Sequence, residues 1–118
     1  TPLVGTFYKG LAVSTSLHTS QFTRKVTPAE VQQALADYYA GERFVRVLPV
    51  DSAENTEAGF FNVEACNGTN RADIFVFGND ERILLLCRLD NLGKGASGAA
   101  IQAMNVHLGL DEGEGLQA

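Results

Sequence analysis

Apolar and polar positions alternate from Leu11 to His18, with Leu11, Val13, Thr15 and Leu17 on one side and Ala12, Ser14, Ser16 and His18 on the other. That period of two predicts a strand with one face on a core. Pro2 to Gly10 reads as a loop punctuated by Gly5 and Gly10, and Thr19 to Lys25 as a polar connection. The period then changes to that of a helix. Thr27 is placed to cap it, Pro28 opens it and Glu30 completes a capping box, with Val26 and Val31 as a hydrophobic staple. Val31, Ala34, Leu35 and Tyr38 form its apolar face, and Gly41 ends it as a left-handed cap. Arg43 to Leu48 predicts a second strand, with Phe44, Arg46 and Leu48 on one face and Val45 and Val47 on the other, closed by Pro49.

Val50 to Gly59 is polar and predicts an exposed loop, followed by a short strand over Phe60 to Ala65 and a tight turn at Cys66 to Asn70. Ile74 to Phe77 and Arg82 to Leu89 flank the turn Gly78-Asn79-Asp80-Glu81 as a hairpin. Its second strand is apolar on both faces, so both require cover: helices of this domain on one side, another subunit or domain on the other. Ile101, Met104 and Leu108 mark one face of a last helix, thinned by Gly98, Ala99, Ala100 and Ala103. Gly109 follows it, and the acidic tail from Asp111 reads as loose.

These elements describe one α+β domain over residues 1–118, with a largely antiparallel or mixed sheet covered by two main helices. Length permits a real core but not a second, dinucleotide-binding domain. The balance of 9 basic against 14 acidic residues provides no stripe of positive charge, which argues against nucleic acid or an anionic membrane as partner. Cys66 and Cys87 lie in no Cys-x-x-Cys or Cys/His spacing and read as free, largely buried thiols of a reducing compartment. Asn67-Gly68-Thr69 fits a glycosylation sequon that has no signal peptide to give it meaning. His18 reads as solvated, as do Glu54 and Glu57, because nothing nearby would desolvate or activate them. The start at Thr1-Pro2 without Met reads as a piece of a longer protein.

Chemistry concentrates in Leu89 to Gln102, an apolar run leading through glycines into a helix. Gly93, Gly95 and Gly98 satisfy G-x-G-x-x-G, yet no second parallel strand with an acidic residue follows, as a dinucleotide fold requires. A Walker A loop is excluded too, because Lys94 precedes the last glycine. The stretch is a glycine-lined turn from strand to helix.

The run Leu89-Asp90-Asn91-Leu92-Gly93-Lys94-Gly95-Ala96-Ser97-Gly98-Ala99-Ala100-Ile101-Gln102, with Asn105 and Leu108-Gly109-Leu110, resembles the C-terminal segment of N-acetyl-γ-glutamyl-phosphate reductases, relatives of aspartate-semialdehyde dehydrogenase. Asn67-Gly68-Thr69-Asn70, Phe75-Val76-Phe77-Gly78-Asn79 and Pro2 with Val4-Gly5 and Phe7-Tyr8-Lys9-Gly10 are similar to the shorter of that family's sequence types. The resemblance implies part of the C-terminal domain of glyceraldehyde-3-phosphate and aspartate-semialdehyde dehydrogenase-like enzymes. It also implies cytoplasmic, NADPH-dependent reduction of an acyl phosphate through a cysteine thioester, in arginine biosynthesis. The family's nucleophilic cysteine, its histidine and its Rossmann domain are matched by nothing here, so no catalytic residue is expected in this segment, which should be inactive alone. NADP would be held mainly by the absent Rossmann domain, a partner along with a second copy joined through the sheet. Asn91, Gly93, Lys94 and Gly95 are implied to line the cofactor cleft, with Asn91 near the nicotinamide amide, and Lys9 to meet the substrate's carboxylate or phosphate. From the residues alone, the order strand, helix, strand, strand also allows a free-standing ferredoxin-like or ACT-type binding module, and a non-catalytic paralogue remains a third reading.

Overall fold

A computed structural model describes residues 1–51 and 55–118, so Glu54 lies outside the described residues. The strands are β1 (Pro2–Leu3), β2 (Leu11–His18), β3 (Val45–Val47), β4 (Ala72–Gly78) and β5 (Arg82–Leu89), and the helices are α1 (Pro28–Tyr38) and α2 (Gly98–Leu108). The strands form one sheet in the order β1-β2-β5-β4-β3, antiparallel except for the parallel pair β3 and β4. Among the described residues the fold is therefore α+β, with a mixed five-stranded sheet and two α-helices. The parallel pair sets it apart from a ferredoxin-like module, whose sheet is antiparallel throughout.

The register explains why β5 is apolar on both faces. It is the central strand, paired along its length from Leu11 opposite Leu89 to His18 opposite Arg82 on one side, and with all of β4 on the other. Ile83 and Leu85 join Val76, Leu17 and Val26 beneath Val31 and Leu35 of α1. Leu84 and Leu86 point the other way, into a cluster with Leu48, Phe75 and Phe77. That second face is covered partly by the chain itself, since Phe61 meets Phe75 edge to face at 5.0 Å.

The capping box forms as the sequence dictates: the Thr27 hydroxyl accepts from the Glu30 N–H, and the Glu30 carboxylate accepts from the Thr27 N–H at 2.8 Å. Several boundaries differ from expectation. A two-residue strand at Pro2–Leu3 interrupts the predicted first loop and pairs with β2. α1 ends at Tyr38, capped by Tyr39, so Gly41 with φ of +88° turns the chain beyond the helix instead of capping it. Tyr38 is 78% exposed and stacks edge-on against Tyr39, leaving Val31 and Leu35 as the inward face. No strand forms over residues 60–65; Glu57 and Phe60 exchange two backbone hydrogen bonds around Ala58 and Gly59, both with positive φ, and Phe60 points to solvent. Asn55, read as part of an exposed loop, is buried and donates to the Pro49 carbonyl at 2.8 Å.

The largest departure is the tail. The acidic tail from Asp111, read as loose, is tied down by polar groups that the apolar periodicity ignores. Buried Asn105 donates to the carbonyls of Glu112 and Glu114, Gln102 donates to Glu112, Arg43 pairs with Asp111, and the Asn70 N–H donates to Gln117. Consequently α2 turns Asn105 and Gly98 inward, while Met104 and Leu108, the predicted apolar face, are 51% and 61% exposed.

Candidate functional site

Three segments distant in sequence meet at the end of β5: the loop at Tyr8 to Gly10, the turn at Asn67 to Asn70 and the glycine-rich turn after Asp90. Asp90 joins them. Its carboxylate is almost fully buried and accepts four donors: the N–H groups of Leu92 (3.0 Å) and Gly93 (2.9 Å) on one oxygen, and the Gly68 N–H (2.8 Å) and Lys9 ammonium (3.0 Å) on the other. Burial alone would raise its pKa, but the N–H groups of Gly68 and Gly93, the Lys9 ammonium and the Leu92 N–H outweigh it and bring it down to about 2.

Two asparagines clamp the backbone beside Lys9. Asn67 donates to the Lys9 carbonyl at 2.8 Å, and Asn91 accepts from the Gly10 N–H at 2.7 Å. Gly10 passes between them with φ of +123°, where a Cβ would crowd Asn67 Oδ1 and the Val63 carbonyl at 3.3 Å. Asn91 is half-buried, and its Nδ2 makes no hydrogen bond among the described residues.

Beyond Asp90 the backbone winds as a π-helix over Gly93–Ser97: the N–H groups of Gly95, Ser97 and Gly98 donate to the carbonyls of Asp90, Leu92 and Gly93, each five residues back. Such wide turns cost hydrogen-bond geometry and concentrate at functional sites. Glycine is needed here for space, since a Cβ at Gly93 would come within 3.1 Å of Asp90 Cγ and the Thr69 carbonyl.

The result is an open cleft of about 530 Å³, whose walls include Tyr8, Lys9, Asp90, Gly93, Gly98 and Gln117. Of the residues singled out in the sequence, Lys9 and Gly93 face it. Asn91 and Gly95 are not among its lining residues, and a Cβ at Gly95 would meet Leu89 Cδ1 at 3.2 Å. Lys94 turns away: its ammonium donates to Gln102 at 2.6 Å and lies 5.6 Å from the centre of the Phe44 ring, and burial lowers its pKa.

A second polar cluster lies within the sheet. Buried Asp73 pairs with Arg46, Arg71 and Arg88 at 2.9, 2.9 and 2.8 Å, and Arg88 stacks over Phe61 and Phe75. Burial would raise the Asp73 pKa, but hydrogen bonds from Arg46 and Arg88 hold it low. Burial raises the Cys66 thiol, reinforced by Asp73, and it raises Cys87 as well. Neither is an activated nucleophile. Among the described residues no group of His, Cys, Asp and Glu could hold a metal ion, and no helix is long and apolar enough to cross a membrane.

Sequence reading missed Asp90, Asn67, Asn70 and Asn105. Asp90 had a signal, an aspartate directly before a helix start. Asp73 and Arg88 had another, charges inside otherwise apolar strands that pair across the β4–β5 register.

Comparison with known proteins gives this geometry a family context. The family model described as semialdehyde dehydrogenase, dimerisation domain, matches residues 1–91. N-acetyl-gamma-glutamyl-phosphate reductase 2 of Nostoc sp. is 47% identical over 118 residues, covering 98% of this chain and 37% of the relative. The reductases of Trichormus variabilis (45%, 98% of this chain, 37% of the relative) and Mesorhizobium japonicum (42%, 92% and 36%) are also similar. The chain thus spans little more than a third of the length of these curated relatives.

Proposed function

The chain belongs to the semialdehyde dehydrogenase, dimerisation domain, family, and on that premise we propose that it is the C-terminal part of an NADP-dependent N-acetyl-γ-glutamyl-phosphate reductase. The observation that carries this reading is similarity along nearly the whole chain, at 47% identity, to a protein named as such a reductase. In that reaction NADPH supplies the hydride that converts the acyl phosphate to a semialdehyde, a step of arginine biosynthesis. The nucleophilic cysteine, the histidine and the dinucleotide-binding domain that holds most of the cofactor are supplied from outside this chain, in keeping with the 37% share of the relative that it covers. Buried Cys66 and half-buried Cys87, both with thiols raised away from the reactive thiolate, support that division of labour.

Within this scheme the cleft is the chain's contribution to the active site. Lys9, with its side chain 31% exposed, receives the substrate's carboxylate or phosphate. Gly93 keeps the wall close to the backbone for the nicotinamide end of NADP, Gly95 keeps the turn beside it tight, and Asn91, half-buried outside the cleft lining, offers its uncommitted Nδ2 to the nicotinamide amide. Lys94 supports the wall through Gln102. Two copies pair through the sheet, and the free thiols suit a reducing cytoplasm.

The test is NADPH oxidation, followed by absorbance, with N-acetyl-γ-glutamyl phosphate as substrate. The intact protein carrying this chain turns over, and residues 1–118 alone do not. Specific turnover by the isolated chain would overturn the division of labour; none by the intact protein would overturn the assignment.

A further inference from the structure

Lys9 is held more firmly than a surface lysine needs to be. Its carbonyl is tied to Asn67, the N–H of its successor Gly10 to Asn91, and its ammonium to Asp90 at 3.0 Å. Asp90 is itself fixed by three backbone N–H groups from two other segments. We propose that Asp90 is a positioning residue, which aims the Lys9 ammonium into the cleft as the receptor for the anionic group of the substrate and locks it to the glycine-rich turn.

Two features make this pairing an aiming device instead of a neutralised ion pair. An ammonium has three donors, and Asp90 takes one; among the described residues Lys9 has no other side-chain partner, so the rest are available on the cleft side, which Lys9 lines. The carboxylate, meanwhile, spreads its charge over three peptide N–H groups besides Lys9, leaving the ammonium incompletely compensated. A lysine side chain also loses much rotamer freedom on binding an anion, and prior fixation by Asp90 removes part of that cost from the binding step. Because the same carboxylate holds the Leu92 and Gly93 N–H groups, the anion receptor and the wall with Gly93 keep a fixed separation.

This role rests on the reductase reading, and steady-state kinetics of the intact protein, with acyl phosphate and NADPH varied separately, tests the two apart. Lys9→Met raises KM for the acyl phosphate about tenfold or more and leaves KM for NADPH within about twofold. Asp90→Asn gives the same split, and the double variant is no worse than Lys9→Met, because Asp90 acts through Lys9. Multiplying effects in the double variant, or equal rises in both KM values with Asp90→Asn, would overturn the role. If Asp90→Asn does not fold, Asp90→Glu keeps the charge but displaces it by one methylene; the acyl phosphate KM rises alone, and an unchanged value overturns the proposal. An inactive wild-type intact protein would refute the reductase reading and this role with it, whereas an active one with unsplit Asp90 variants refutes only the role.

Discussion

At the residue scale, buried carboxylates organise the molecule, and their titration has a definite sign. The Asp90 pKa in the folded state, about 2, lies below its ordinary 3.8. Its ionised form therefore adds stability above pH 4 that disappears as pH falls toward 2, worth on the order of 2 kcal/mol. Urea unfolding across that range should show the loss, and Asp90→Asn should flatten it. Asp73 carries a larger penalty on removal. Asp73→Leu takes its carboxylate partner from buried Arg88 and should cost about 3–5 kcal/mol, seen as a lower urea midpoint. Gly98 is constrained by space: a Cβ there collides with Asn70 Oδ1 and comes within 3.0 Å of the Gly93 carbonyl. Gly98→Ala should lower Tm, although alanine is the better helix former. Lys9 and the glycines could be picked out in the sequence because they fall in a recognisable run. The partners that fix them, Asp90 with Gly68 and Asn67 with Lys9, are 22 and 58 residues apart, and only the fold brings them together.

Elements specified by local signals were legible. The α1 start depends on Thr27, Pro28 and Glu30, neighbours in the chain, and formed as read. Thr27→Ala should cost about 1 kcal/mol, measurable as a Tm decrease. The hairpin of β4 and β5 was equally legible, its turn held by Asn79 Oδ1 accepting from the Glu81 and Arg82 N–H groups. Phe60 to Ala65 had strand-like composition, but no neighbouring edge takes it up, and Phe61 is worth more buried on Phe75. The tail misled for the opposite reason. Its acidic, glycine-rich composition suits a loose end, yet Asn105 satisfies two of its carbonyls from inside the fold. Asn105→Ala should free the tail and raise hydrogen exchange at Asn70 and Leu116, whose N–H groups donate to the Gln117 and Gly113 carbonyls.

For the whole molecule, the sheet order was not legible, because pairing β2 with β5 joins residues that no local pattern links. The apolar character of β5 on both faces pointed to cover on each of them, not to its central place in the sheet. What remains open is also informative. A small apolar groove of about 180 Å³ runs beside α1 among Val13, Leu35, Leu85 and Cys87, and α2 exposes Met104, Val106 and Leu108. A chain of a dimerisation family with such surfaces should give a light-scattering mass of twice its 12.7 kDa.

In the proposed reductase this chain's glycine-rich turn faces the nicotinamide, and Asn91→Asp in the intact protein tests that placement. The substitution keeps an oxygen to accept the Gly10 N–H while deleting the Nδ2 donor. Single-turnover hydride transfer, followed as NADPH absorbance, should slow by about tenfold or more, through loss of the oriented donor and the negative charge that replaces it. An unchanged rate would contradict the placement of this turn at the cofactor.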